Sequence, residues 1–245
     1  MINLILSIVA GALVTVLLHA IFGFGWIACV LPGSLVMVAV YLLLARRIAT
    51  QVQAIAEQAQ VVLQGIRSEK ERGAALDKAI TIFQSALRLA NWQFFIGSEI
   101  RANVGMLQYM KGDYAAAKPH LAGAISRNWM AKSYLGCIHY MGKEPEPMKS
   151  AFEDAVTGGG KKEPLAWAAY CWCLENTKQH DAAVAVASRA VAENPSDEKL
   201  KKLQNQLQNG KRLKMDPFTP NWWQFGLEQP ATAMPQVRFQ RYRRR

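Results

Sequence analysis

Polarity along the chain divides it before any motif does. The first 45 residues contain no Asp, Glu, Lys or Arg and a single His, His19, and the run ends abruptly at Arg46-Arg47. As one continuous helix this run would extend roughly 68 Å at about 1.5 Å per residue, more than twice the roughly 30 Å hydrocarbon core of a bilayer. It therefore reads as two spans. Residues 1–22 and 26–45 are each close to twenty residues long, and Gly23-Phe24-Gly25 between them is the one turn-like stretch. The pattern predicts a transmembrane helical hairpin over 1–47, with Pro32-Gly33 marking a kink in the second span and His19 lying near the interface. A cleaved signal peptide is the alternative, but it calls for a basic start that Met1-Ile2-Asn3-Leu4 lacks. Because Arg46 and Arg47 are the only charges adjoining either span, the positive-inside bias places both termini and everything after Arg47 in the cytoplasm. The expectation is a multi-pass protein of a bacterial inner membrane.

Beyond Arg47 the period changes. Val52, Ile55, Ala56, Ala59, Val62, Leu63 and Ile66 follow one helical face, which predicts a juxtamembrane helix over 48–73 with little linker between bilayer and soluble part. From 74 to 210 an internal repeat of small and large residues emerges: Ala79, Phe83, Ala86; Ala117, Leu121, Ala124; Met148, Phe152, Ala155; Ala183, Ala187, Ala190. The units are separated by 38, 31 and 35 residues. Small residues at these places let antiparallel helices approach, and the larger one wedges between neighbouring units.

These residues resemble the tetratricopeptide repeat (TPR) family. Asn103-Val104-Gly105 with Tyr109, Gly112-Asp113-Tyr114 and Ala117 is similar to that family's first helix, turn and second-helix opening; Leu135-Gly136, Tyr140, Gly142 and Phe152 repeat it, and Trp167, Tyr170, Ala183, Ala190 and Asn194-Pro195 close it. The first unit, about 60–90, matches only in its second helix. Asp197 to Asn209, with Leu200, Leu203 and Leu207 on one face, reads as a capping helix. The resemblance implies an all-α fold: two transmembrane helices followed by a TPR-like α-solenoid of three to four helix pairs and an irregular tail. It also implies a concave groove lined by the first helix of each unit, presenting Asn103, Met106, Tyr109 and Met110, then Met130, Tyr134, Tyr140 and Met141, then Leu165, Trp172 and Asn176. Of the basic clamp that some members use for acidic peptide ends, only Asn103 matches; Met130 and Tyr134 stand where cations are needed. Thioethers and aromatic rings suit an apolar helix or extended segment of a protein partner. The alternative for any of these residues is packing between helices.

Charge changes the picture only at the end of the chain. The formal net charge is +11, and residues 211–245, with eight basic and two acidic side chains, hold +6 of it. Over 211–245 periodicity is lost and Pro217, Pro220, Pro230 and Pro235 appear, so the segment is expected to be extended. Trp222, Trp223 and Phe225, with Phe218, form a cluster that must bury itself on the repeats, on a partner or at the bilayer interface. Arg238, Arg241, Arg243, Arg244 and Arg245, interleaved with Phe239 and Tyr242, fit anionic lipid heads or RNA, or form a plain solvated tail.

Candidate chemistry is sparse. Cys171-Trp172-Cys173 with His180, and Cys137 with His139, lack the spacing zinc wants. Gly158-Gly159-Gly160-Lys161-Lys162 has no Ser or Thr after the lysines and no strand before it, and reads as an inter-repeat turn. Glu153-Asp154 and Asp197-Glu198 fit solvated helix surfaces and starts. No catalytic, cofactor-binding or metal-binding residues are assigned, and four scattered cysteines suit a reducing compartment. The sequence reading is a non-catalytic membrane-anchored scaffold that binds protein partners through its groove. The alternatives are an accessory subunit of a larger membrane complex, and a membrane tether for RNA or the ribosome.

Overall fold

In a computed structural model, residues 1–65 and 69–228 are described. Among them all regular structure is helical. Helix α1 (Ile2–Phe22) and helix α2 (Trp26–Gln64) form the hairpin, joined at Gly23, whose φ of +64° favours a residue without Cβ. Each contains a stretch long and apolar enough to cross a membrane, and most of that stretch is exposed on the protein surface. The two helices meet through small residues. A Cβ at Gly33 would lie 2.0 Å from Thr15 Oγ1, and one at Gly11 would lie 2.7 Å from the Gly33 carbonyl. Backbones can approach this closely only where side chains are missing, which is how apolar helices associate where water supplies no driving force. Thr15 Oγ1 donates to Gly11 O at 3.0 Å within its own helix and lies 3.4 Å from Cys29 O across the pair.

Helix α2 runs through Arg46-Arg47 without interruption for 39 residues, roughly 58 Å at about 1.5 Å per residue. The second span and the expected juxtamembrane helix are thus one element. Helix α2 ends at Gln64, where Gly65 follows with its low helix propensity; Ile66 of the expected face lies outside the described residues, and 69–73 of the expected helix belong to α3 (Glu69–Ser85). Pro32 lies inside α2 and does not end it, while Gly33 serves the contact with α1.

The rest of the array comprises α3 (Glu69–Ser85), a 3₁₀ turn (Ala86–Leu89), α4 (Ile96–Lys111), α5 (Tyr114–Ala122), α6 (Trp129–Met141), α7 (Pro145–Thr157), α8 (Pro164–Asn176), α9 (His180–Glu193) and α10 (Glu198–Gln208). Helices pack as consecutive pairs, α4 with α5, α6 with α7 and α8 with α9, and the first helices α4, α6 and α8 touch in succession. Of the small and large positions singled out in the sequence, Ala79, Ala86, Ala117, Leu121, Ala124, Met148, Phe152, Ala155, Ala183, Ala187 and Ala190 are buried, and Phe83 is partly buried. The large-on-small contact is explicit. A Cβ at Gly105 would meet Leu121 at 2.9 Å, and one at Gly136 would meet the Phe152 ring at 2.6 Å. Phe152 also stacks on Tyr170 of the following pair, with centroids 5.2 Å apart, so one ring closes its own unit and bridges to the next. The intervals Gly105 to Leu121 and Gly136 to Phe152 are both sixteen residues. At the same interval before Ala187 stands Cys171, whose thiol donates to Ala183 O at 3.7 Å.

Helix ends follow from local chemistry. Asp113, Asn128 and Asp197 cap α5, α6 and α10 by accepting from Ala116 N, Ala131 N and Leu200 N at 3.1, 3.1 and 2.9 Å, which satisfies amides that lack an intrahelical partner. The glycine run 158–160 packs on the α5–α6 connection, where a Cβ at Gly159 would fall 1.9 Å from Arg127 O. The run connects α7 to α8 as a turn. Helix α10 lies over α9 and α8 with Leu200, Leu203 and Leu207 buried.

Candidate functional site

The face built by α4, α6 and α8 carries the residues expected to bind a partner, and the chain's own tail lies on it. After α10 the backbone turns at Gly210 (φ +59°), and Leu213, Met215 and Phe218 join the core cluster of the array. Two short 3₁₀ segments, Asp216–Phe218 and Asn221–Phe225, then bring Trp222 and Phe225 down on the face, 1% and 0% exposed. Tyr109 Oη donates to Phe225 O at 2.6 Å. Tyr109 stacks on Tyr134 with centroids 4.4 Å apart, and Tyr134 meets Phe225 edge-on at 5.5 Å. Trp222 meets Trp172 and Phe225 at 5.6 and 5.7 Å, and its indole N–H donates to Glu228 at 2.9 Å. Six aromatic side chains, Tyr140 included through its 5.4 Å contact with Trp172, form one continuous layer. Burial pushes the phenols of Tyr109 and Tyr134 well above their ordinary range, with the neighbouring Cys137 acting in the same direction.

The residues singled out in the sequence therefore separate into three places. Tyr109, Tyr134 and Trp172 are buried beneath the tail. Asn103, Met106, Met110 and Met130, with the edge of Tyr134, line an apolar cavity of about 300 Å³. Ala56, Ala59, Gln60 and Leu63 of α2, Phe83 of α3 and Gln224 of the tail line it as well. Asn103 donates to Glu99 O at 3.0 Å in its own helix, so its amide is engaged in holding α4. Tyr140 and Met141 border a second cavity of about 530 Å³ with Lys143, Glu144, Pro145, Met148, Asn176, Thr177 and Gln179. There Glu144 accepts from Lys118 at 2.9 and 3.2 Å and pairs with His139, and these contacts hold its carboxyl below the usual range. Of the tail residues, Trp222 and Phe225 are buried on the array and Trp223 packs at the edge of the core. Arg238, Arg241, Arg243, Arg244 and Arg245 lie outside the described residues.

Two signals for the tail's docking are present in the sequence. Leu213 and Met215 alternate with Arg212 and Lys214, the period of an extended segment with one buried face. Trp222 and Phe225 are three apart, one turn of a 3₁₀ helix. The wall supplied by α2 carries no such signal, because it depends on the angle at which α2 meets α4.

Among the described residues no three His, Cys, Asp or Glu side chains converge as a metal-binding group. All four cysteines are free and buried, and burial raises the thiols of Cys171 and Cys173 above their ordinary value. His180 pairs with Glu175 at 2.9 Å. Glu153 accepts from Arg189 at 2.8 and 2.9 Å and from Tyr170 Oη at 3.2 Å, an arrangement that joins α7, α8 and α9.

The fold and this face define an all-helical protein with two N-terminal apolar helices of membrane-spanning length. No protein-family model, no curated protein and no solved structure matches the chain.

Proposed function

We propose that this protein is a non-catalytic adaptor, anchored by its hairpin in a bacterial inner membrane, whose TPR-like array holds a protein partner on the cytoplasmic side. The observation that carries the reading is the methionine-lined cavity between α2 and α4. It is apolar and open, and it is built partly from the same helix that forms the second span. Flexible thioethers at Met106, Met110 and Met130 suit an apolar helix or extended segment of loosely specified sequence. A partner seated there is held directly above the bilayer by a helix with no break, so recruitment and anchoring share one element.

The tail shapes this reading. It fills the central part of the face, so the partner takes the flank toward α2, and Gln224 lines the cavity. The aromatic cluster is satisfied inside its own chain, which favours a free-standing adaptor over a subunit that needs an assembly to order its tail. The arginines from Arg238 onward add an electrostatic contact with anionic lipid.

Site-specific photo-crosslinking in membranes tests the proposal. A crosslinker at Met110 is expected to give a discrete intermolecular adduct that Met106→Glu abolishes, and a crosslinker at exposed Glu198 is expected to give none. An equal adduct at Glu198, or one insensitive to Met106→Glu, rejects the flank as the binding surface.

A further inference from the structure

The connection between the 3₁₀ turn and α4 sits where the first membrane helix begins. The backbone amides of Ile2 and Asn3 donate to Asn91 O and Trp92 O at 3.0 and 3.1 Å, and the Met1 amino group also bonds Asn91 O. These are amides of the first turn of α1, which have no partner within their own helix. Residues 91 and 92 are thereby fixed at the level of Met1, although they lie far along the chain. Trp92 tucks against the cluster of Ile48, Leu89 and Ile100, and Ile48 directly follows Arg46-Arg47 on α2. Both helices of the hairpin thus meet this connection at the end of their apolar stretches.

Its next residues are exposed and aromatic. Phe94 and Phe95 are 42% and 68% exposed, with ring centroids 6.4 Å apart. Phe95 holds φ at +66°, a conformation costly for a bulky residue, and in water its ring gains nothing from it. Over residues 86–98 the only charge is Arg88, and no acidic side chain occurs. Exposed Arg46 and Arg47 precede Ile48 on α2, Arg88 precedes the connection and Arg101 lies beside Gly97, while Arg127 and Glu99 line a shallow cavity with Phe94 and Phe95. Met1, Ile2 and Ile5 at the start of α1 are exposed as well.

We infer that Phe94 and Phe95 form a second membrane contact, inserted at the headgroup boundary of the same leaflet from which α1 starts. The occupant is the lipid bilayer, taking two aromatic rings among basic side chains, a composition favoured at such interfaces. The contact ties the N-terminal end of the array to the membrane beside the hairpin and fixes how the array leans. The inference rests on the hairpin spanning the bilayer, and its test separates the two.

The full chain, with its four native cysteines buried and left in place, carries a nitroxide at Leu13→Cys, Phe95→Cys or Glu198→Cys. Each variant is reconstituted in vesicles of phosphatidylcholine and phosphatidylglycerol, and collision rates with oxygen and with a water-soluble nickel chelate are compared. The expected order of the oxygen-to-nickel ratio is Leu13 highest, Phe95 intermediate and Glu198 lowest. A ratio at Phe95 equal to that at Glu198, with Leu13 still lipid-like, overturns the second contact and leaves the hairpin standing. A water-like ratio at Leu13 overturns both. Phe94→Cys repeats the measurement on the neighbouring ring should the label at 95 disturb folding.

Discussion

Replacing Trp222 with alanine asks whether the tail belongs to the core. The indole is 1% exposed and lies against Trp172 and Phe225 at 5.6 and 5.7 Å. Truncating a fully buried tryptophan costs about 3–5 kcal/mol through lost transfer energy and the cavity left behind. For a chain of this size about 1 kcal/mol corresponds to a shift in Tm of about 2–4 °C, so the expected loss is about 6–20 °C. The assay is thermal unfolding of the full chain in mild detergent, followed by circular dichroism and by reaction of the buried thiols. Cys137, Cys171 and Cys173 lie within the array, and their modification reports its opening. If the tail lifts as a unit, a loss of about 3 kcal/mol raises the open population roughly a hundredfold and thiol reaction accelerates accordingly. Trp223→Ala removes a partly exposed ring and is expected to cost less. An unchanged Tm together with unchanged thiol reactivity refutes the packing of the tail on α4, α6 and α8, and the whole face would then be free for a partner.

Three further outcomes follow from the same geometry. Tyr109→Phe removes the donor to Phe225 O and leaves a buried carbonyl unsatisfied, an expected loss of about 1–3 kcal/mol read as a lower Tm. Gly136→Ala places a Cβ 2.6 Å from the Phe152 ring and is expected to cost about 1–3 kcal/mol; the double variant with Phe152→Leu recovers part of the Tm if overpacking is the cause. The Glu153 carboxyl is held below its ordinary 4.5 chiefly by hydrogen bonds from Arg189, so its contribution is full above that pH and is lost as pH falls through the folded value. Because the pair is partly solvated this contribution is under about 1 kcal/mol, and Glu153→Gln is expected to flatten the acid limb of Tm against pH while lowering Tm slightly at neutrality.

Much of the architecture was legible because it is periodic. The charge-free run and its glycine turn are local patterns and appear as α1, α2 and their connection, and the small and large residues fall at buried positions, Phe83 partly so. The Gly105–Leu121 and Gly136–Phe152 contacts recur at one sixteen-residue interval in two successive helix pairs. Less legible were features set by three-dimensional complementarity. Gly33 suggests a kink beside Pro32 when taken alone, and only the approach of Thr15 and Gly11 reveals it as a contact. Tyr109 and Trp172 fall on the face predicted from the register, but a register cannot reveal that a non-periodic segment more than a hundred residues beyond Tyr109 covers that face. The change of period at Arg46-Arg47 suggests a second helix with little linker, and α2 instead runs through both residues without interrupting its backbone.

The topology of the hairpin tests the account most directly. Cysteines introduced at Gly25 in the turn, where a side chain meets open space, and at Glu198 in α10 are exposed to a membrane-impermeant maleimide in intact bacterial cells. The account predicts that Gly25→Cys is labelled before lysis and that Glu198→Cys is labelled only after it. Labelling of Glu198→Cys in intact cells, or protection of Gly25→Cys until lysis, would contradict it.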